Sequence, residues 1–172
     1  MVPIELKNSR TGEVAPRRTL FSYQVGADAF TFYFTCEQSQ CVSAGTKFND
    51  PLYEGDAAEV FLSVDGETDF YYETEVAPNG TGFFAKILWQ DGGFTTCPQV
   101  IHMPTHAERT ADGWRAEITL PFAAIGYKPG MELKINAYRI ETDGGERDKH
   151  LIALSPTLCD TFHRPSAFVD LP

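Results

Sequence analysis

The sequence predicts an all-β fold, a two-sheet antiparallel β-sandwich of the jelly-roll kind. Three observations carry this. Apolar and polar residues alternate with period two in segment after segment, turn-forming Gly, Asn, Asp and Pro separate those segments, and helical periodicity is nearly absent. Aromatics make up 13% of the 172 residues, as 13 Phe, 7 Tyr and 2 Trp, a composition that suits pleated, half-buried surfaces. The length fits one domain, taken as residues 1–172, with room for a substantial core.

The segments follow in chain order. Phe30, Phe32 and Phe34 alternate with Thr31, Tyr33 and Thr35, so one face of that strand is strongly apolar. Val60, Leu62 and Val64 oppose Glu59, Phe61 and Ser63, and Phe70, Tyr72, Thr74 and Val76 oppose Tyr71, Glu73, Glu75 and Ala77. The same parity recurs at Phe83, Ala85, Ile87 and Trp89, at Trp114, Ala116, Ile118 and Leu120, and at Leu133, Ile135 and Ala137. Turns are marked by Asp65-Gly66, Pro78-Asn79-Gly80, Asp112-Gly113, Pro129-Gly130 and Asp143-Gly144-Gly145, residues that tolerate positive φ or preset a turn. Pro121 to Ile125, closed by Gly126, is the one short helical turn expected. Cys36 to Gly55 has weak periodicity and reads as a long loop, a kind of segment that is often functional.

Bulk charge narrows the partners. A formal net charge of −10 argues against a nucleic-acid partner, because phosphate binding relies on clustered Lys and Arg. No apolar run reaches the roughly 20 residues needed to span a bilayer, so no membrane partner is expected. The start of the sequence lacks a basic, then apolar, then small-residue signal pattern, and the expected location is the cytoplasm. Cys36, Cys41, Cys97 and Cys159 are too few and scattered for a disulfide framework; Cys36 and Cys41 could close a short loop in an oxidising compartment, but free thiols are expected.

The ordered segments resemble the family 9 carbohydrate-binding modules, from about Leu20 to Leu171. The resemblance is carried by the run from Asn49 to Leu62, by Phe70 to Gly80, by Gly113 to Phe122, by Ile135 to Ile140 and by Thr161 to Phe168. Within the first run, an aromatic-Glu-x-Asp-x-x-Glu-hydrophobic-Phe pattern is met by Tyr53, Glu54, Asp56, Glu59, Val60 and Phe61. His150 to Thr157, together with Phe162, His163 and Pro165, resembles the family's closing signature, with Leu154 in place of its Trp and Val169 in place of its Gly. The resemblance implies non-catalytic binding of a mono- or oligosaccharide. Tyr53 and Phe162 would be facing loop walls that stack on a pyranose, and the residue types beside them supply hydroxyl partners: Asp56, Glu59, Glu75, Asn136, Tyr138, Arg139 and His163. Where sugar binders of the family carry an Arg, this chain has Glu75. Glu73 reads as the solvated side of an outer strand.

Two other readings remain open. Glu59 and Glu75 could serve as the acid and the base of a small sugar hydrolase, which needs two carboxyls roughly 5–9.5 Å apart. Met103 with a histidine, in the run His102-Met103-Pro104-Thr105-His106, could hold haem, as relatives in the wider superfamily do. No cofactor is expected, with calcium the only candidate. Asp65, Glu67 and Asp69 in one turn and Asp143, Glu146 and Asp148 in another suit an oxygen-seeking cation, although acidic hairpin turns are common without one.

Overall fold

The computed structural model describes residues 2–38, 40–90, 93–142 and 149–171. In chain order the elements are β1 (Ile4–Glu5), β2 (Lys7–Asn8), β3 (Thr19–Val25), β4 (Ala29–Glu37), β5 (Ala57–Val64), β6 (Phe70–Val76), β7 (Gly82–Gln90), β8 (Gly93–Pro98), β9 (Thr105–Thr110), β10 (Gly113–Pro121), α1 (Phe122–Ile125), β11 (Leu133–Glu141), β12 (His150–Ala153) and β13 (Val169–Asp170). Among the described residues they form a five-stranded sheet, β1-β3-β4-β10-β9, and an eight-stranded one, β2-β12-β11-β5-β6-β7-β8, with β13 paired to β11. Every named strand pair is antiparallel. The expected sandwich is therefore present.

The alternation explains the core. Phe30, Phe32 and Phe34 of β4, Trp114, Ala116, Ile118 and Leu120 of β10, Val60 and Leu62 of β5, and Ile135 and Ala137 of β11 turn inward into one apolar cluster between the sheets. Gly113 is required at its position: a Cβ there would fall 1.9 Å from the Cys36 carbonyl oxygen, where β10 crosses close to β4. The helical turn appears as α1, and Gly126 closes it in the left-handed region at φ 69°. Met103 is fully buried in this core and unavailable as a haem ligand, and His102 packs on Phe48 with ring centroids 4.6 Å apart. The four cysteines are free thiols, and burial pushes Cys36 up to about 12. No helix among the described residues is long and apolar enough to cross a membrane.

A second apolar cluster lies on the outward face of the eight-stranded sheet. Phe61, Tyr71, Ala85, Ile87, Tyr138 and Ile140 are covered there by Phe162 and Phe168 from the C-terminal loop. For that reason β5 is buried on both faces from Ala57 to Leu62. An antiparallel sheet usually leaves one face wet; here a loop dries part of it and leaves a hollow beside it.

Candidate functional site: a cleft on the outward face of the larger sheet

The loop before β5 is pinned at several points. Asn49 holds the left-handed region at φ 69°, its Nδ2–H donates to the Gln99 carbonyl at 2.9 Å, and its Oδ1 accepts from the Phe84 N–H at 2.9 Å. The Asp50 carboxylate accepts the Thr46 and Lys47 N–H groups, which hold it below its ordinary pKa. Gly55 lets the loop close on itself, since a Cβ there would stand 2.6 Å from the Val42 carbonyl. Between these anchors a 3₁₀ turn, Leu52–Glu54, buries Leu52 and leaves Tyr53 57% exposed. The Lys149 ammonium donates to the Tyr53 carbonyl.

Opposite this loop, the C-terminal segment is fixed by β11. Asn136 donates to the Ser155 carbonyl at 2.7 Å and the Ala167 carbonyl at 3.2 Å, and accepts from the Ser155 N–H at 3.0 Å. The Tyr138 hydroxyl donates to the Phe162 carbonyl at 3.1 Å while the two rings stack at 4.2 Å and 18°. The His163 Nδ1 lies 2.6 Å from the Tyr71 hydroxyl, and its ring stacks on Phe94 at 3.7 Å and 19°. Burial holds His163 down at about 4, so its imidazole is neutral at neutral pH.

Between the loops is a cleft with two adjoining lobes. One, of about 280 Å³, is lined by Tyr53, Glu59, Phe61, Glu73, Lys149, Phe162 and His163 among others. The other, of about 490 Å³, shares Tyr53, Glu73 and His163 and adds Asn49, Glu75, Phe83, Phe94 and Thr96. Its floor is the sheet itself. Glu59 of β5 stands directly opposite Glu75 of β6, and Phe61 opposite Glu73, so all three carboxyls share the outward face. They are 2%, 7% and 1% exposed for Glu59, Glu73 and Glu75. Each keeps one buried oxygen without a hydrogen-bond partner among the described residues: Glu59 Oε1, Glu73 Oε2 and Glu75 Oε2. Burial first, then mutual repulsion, pushes Glu59 and Glu75 well above the usual carboxylate range, and burial takes Glu73 to about 7. Lys149 lowers Glu59 only in part.

Several sequence expectations are corrected by these placements. Arg139 shares parity with Ile135 and Ala137 and points between the sheets, where it donates to Thr19 Oγ1, the Glu37 carbonyl and Gln38 Oε1 at 2.9–3.0 Å. It has no access to the cleft. Asp56 is fully buried, accepting from the Val42 N–H, Gln38 Nε2, and the Thr142 N–H and hydroxyl. Its place is to fasten the Tyr53 loop to the end of β11. Asn136 and Tyr138 are likewise spent on holding the C-terminal loop. Phe162 reaches the cleft but is only 6% exposed, so it forms floor and not a free wall. Glu73, read as solvated, sits buried in both lobes.

The missed residue is Phe94, 47% exposed at the cleft mouth. With Tyr53 it supplies the accessible rings. At the turn after β5, the Glu67 carboxylate accepts the Thr68 and Asp69 N–H groups at 3.0 Å, and Asp65 takes φ 58°. Among the described residues no group of three His, Cys, Asp or Glu side chains converges as metal ligands would, Asp65, Glu67 and Asp69 included. The run Asp143 to Asp148 lies outside the described residues.

The burial of Phe162 carries an expected result. Phe162→Ala should destabilise the protein by about 3 kcal/mol in chemical denaturation, as a truncated buried ring does, whereas Tyr53→Ala should stay within about 0.5 kcal/mol. Equal, negligible losses would contradict the packing of Phe162 on Tyr138.

No family model matches the sequence, and no curated protein matches it. Solved structures do. A protein from Bacteroides uniformis, provisionally assigned to carbohydrate binding, superposes with a TM-score of 0.76 at 16% identity, covering 98% of this chain and 83% of that one. A family 9 carbohydrate-binding module from Caldicellulosiruptor kristjanssonii in complex with glucose gives a TM-score of 0.69 at 18% identity, covering 97% of this chain and 82% of that one. The same kind of module in complex with cellotriose gives 0.69 at 18% identity, over 98% and 80% of the two chains. The fold is that of the family 9 carbohydrate-binding modules.

Proposed function

We propose that this protein binds a mono- or oligosaccharide, without catalysis, in the cleft on the outward face of its larger sheet. The observation that carries the reading is the pairing of two exposed rings, Tyr53 and Phe94, with buried polar groups that have unused bonding capacity below them. A pyranose has an apolar C–H face and a polar rim. Its face packs on an aromatic ring, and its hydroxyls satisfy groups that otherwise lie desolvated and unpaired. Glu59, Glu75 and His163, which line the cleft, are the hydroxyl partners in this reading. The fold shared with modules solved in complex with glucose and cellotriose supports the same reading.

The hydrolase alternative gains nothing from the geometry. Hydrolysis needs one carboxyl as acid and a second as base or nucleophile, and Glu59 and Glu75 both lie buried in the floor, 2% and 1% exposed. Cellotriose incubated with the protein should release no reducing sugar.

Isothermal titration with glucose, glucosamine and cellotriose tests the proposal. Binding in the micromolar to millimolar range is expected. Tyr53→Ala and Phe94→Ala should each weaken it about fivefold or more, since one ring contact is worth about 1 kcal/mol. Absence of binding by every sugar, or binding indifferent to both substitutions, would overturn it.

A further inference from the structure

The floor of the cleft concentrates acid without matching base. Glu59, Glu73 and Glu75 project from neighbouring positions of β5 and β6, nine-tenths or more buried, and line the cleft; Glu73 and Glu75 hydrogen-bond to each other, and each of the three keeps one oxygen with no other partner among the described residues. The groups facing them do little to offset this. Tyr71 of β6 and Tyr138 of β11 are neutral phenols, Phe83 of β7 and Phe94 of β8 are apolar, and His163 is neutral. Asp160 also lines the smaller lobe, but its carboxylate is already paired with the Arg10 guanidinium at 2.6 Å. Among the described lining residues the cation is Lys149, and its ammonium is engaged by the Tyr53 carbonyl.

Buried carboxyl oxygens without donors are costly, and a cation with several N–H groups removes that cost most fully. A sugar hydroxyl brings one hydrogen and no charge. An ammonium brings three hydrogens and a positive charge, which draws carboxyls that burial keeps protonated back to their ionised form, and charge-assisted bonds are roughly twice as strong as neutral ones. The two exposed rings at the mouth also attract cations through their faces while they hold an apolar ring. Resting on the carbohydrate-binding reading above, we infer that the cleft selects a pyranose bearing a free amino group, its ammonium seated among Glu59, Glu73 and Glu75.

Calorimetric titration of the intact protein with glucosamine, glucose, N-acetylglucosamine and n-butylammonium decides the matter. Glucosamine should bind at least about tenfold more tightly than glucose or N-acetylglucosamine, because one charge-assisted hydrogen bond is worth that much. The ratio of glucosamine to glucose affinity should fall toward one in Glu73→Gln and in Glu75→Gln, each checked for an intact melting transition. Equal or tighter binding of glucose by the unaltered protein overturns the amine preference and leaves carbohydrate binding standing. Butylammonium binding as tightly as glucosamine overturns the amino-sugar assignment in favour of a bare cation site. Failure of all three sugars overturns both.

Discussion

Trp114→Ala should cost about 3–5 kcal/mol of folding stability, the range for truncating a large aromatic side chain in a packed interior. Trp114 is fully buried on β10, paired across to Cys36 of β4 and Arg109 of β9, on the same inward face as Ala116, Ile118 and Leu120. Its removal would leave a void where the two sheets meet, and the strands on either side cannot collapse into it without losing their own pairing. The indole N–H is buried without a partner among the described residues, so Trp114→Phe should lose less. Urea denaturation reads both, and an unchanged midpoint for the alanine variant would contradict the assignment to the core.

Stability should also fall as pH rises from about 4.5 to about 7, and Glu73 should carry part of that loss. Burial raises its carboxyl from 4.5 to about 7 in the folded protein. Between those values the unfolded chain releases the proton and the folded protein keeps it, so the native state binds more protons and raising the pH favours unfolding. Below about 4.5 the group is protonated in both states and its contribution is fully present; above about 7 it is lost. A tenfold difference in proton affinity between the two states corresponds to about 1.4 kcal/mol, so the change is on the order of 3 kcal/mol. Glu73→Gln keeps the shape and removes the titration. The variant should match the parent at acid pH and exceed it at pH above about 7. Parallel stability curves for the two proteins would show that Glu73 is solvated, as its place in the sequence suggests.

Legibility follows burial. Strands β4 and β10 are plain in the sequence because one face is packed and the other is not, which writes a clean alternation at Phe30, Phe32 and Phe34 and at Trp114, Ala116 and Ile118. The strands β8 and β9 leave almost no such trace: they are edge strands, β8 exposed along nearly its whole length. Phe94 is hidden along with the strand that carries it. Glu73 misleads for the opposite reason. Its strand faces outward, which normally means water, and only the long-range return of the C-terminal loop makes that face dry.

The site shows the same division. Tyr53, Glu59, Glu75 and His163 are reached through an ordered resemblance, and all line the cleft. Arg139 can be excluded from the alternation alone, since it shares parity with Ile135 and Ala137, which the same alternation turns inward. Asp56 offers no comparable signal. Its partners Gln38, Val42 and Thr142 lie far along the chain and meet it only after folding.

Amide chemical-shift mapping by NMR during titration with cellotriose and glucosamine tests sugar binding at this cleft most directly. The largest shifts are expected at Tyr53, Glu75, Phe94 and His163, around the cleft of the larger sheet, while Arg115 and Glu117 on the outward face of the smaller sheet stay still. Shifts centred on Arg115 and Glu117, or none at the cleft with saturating sugar, would contradict it.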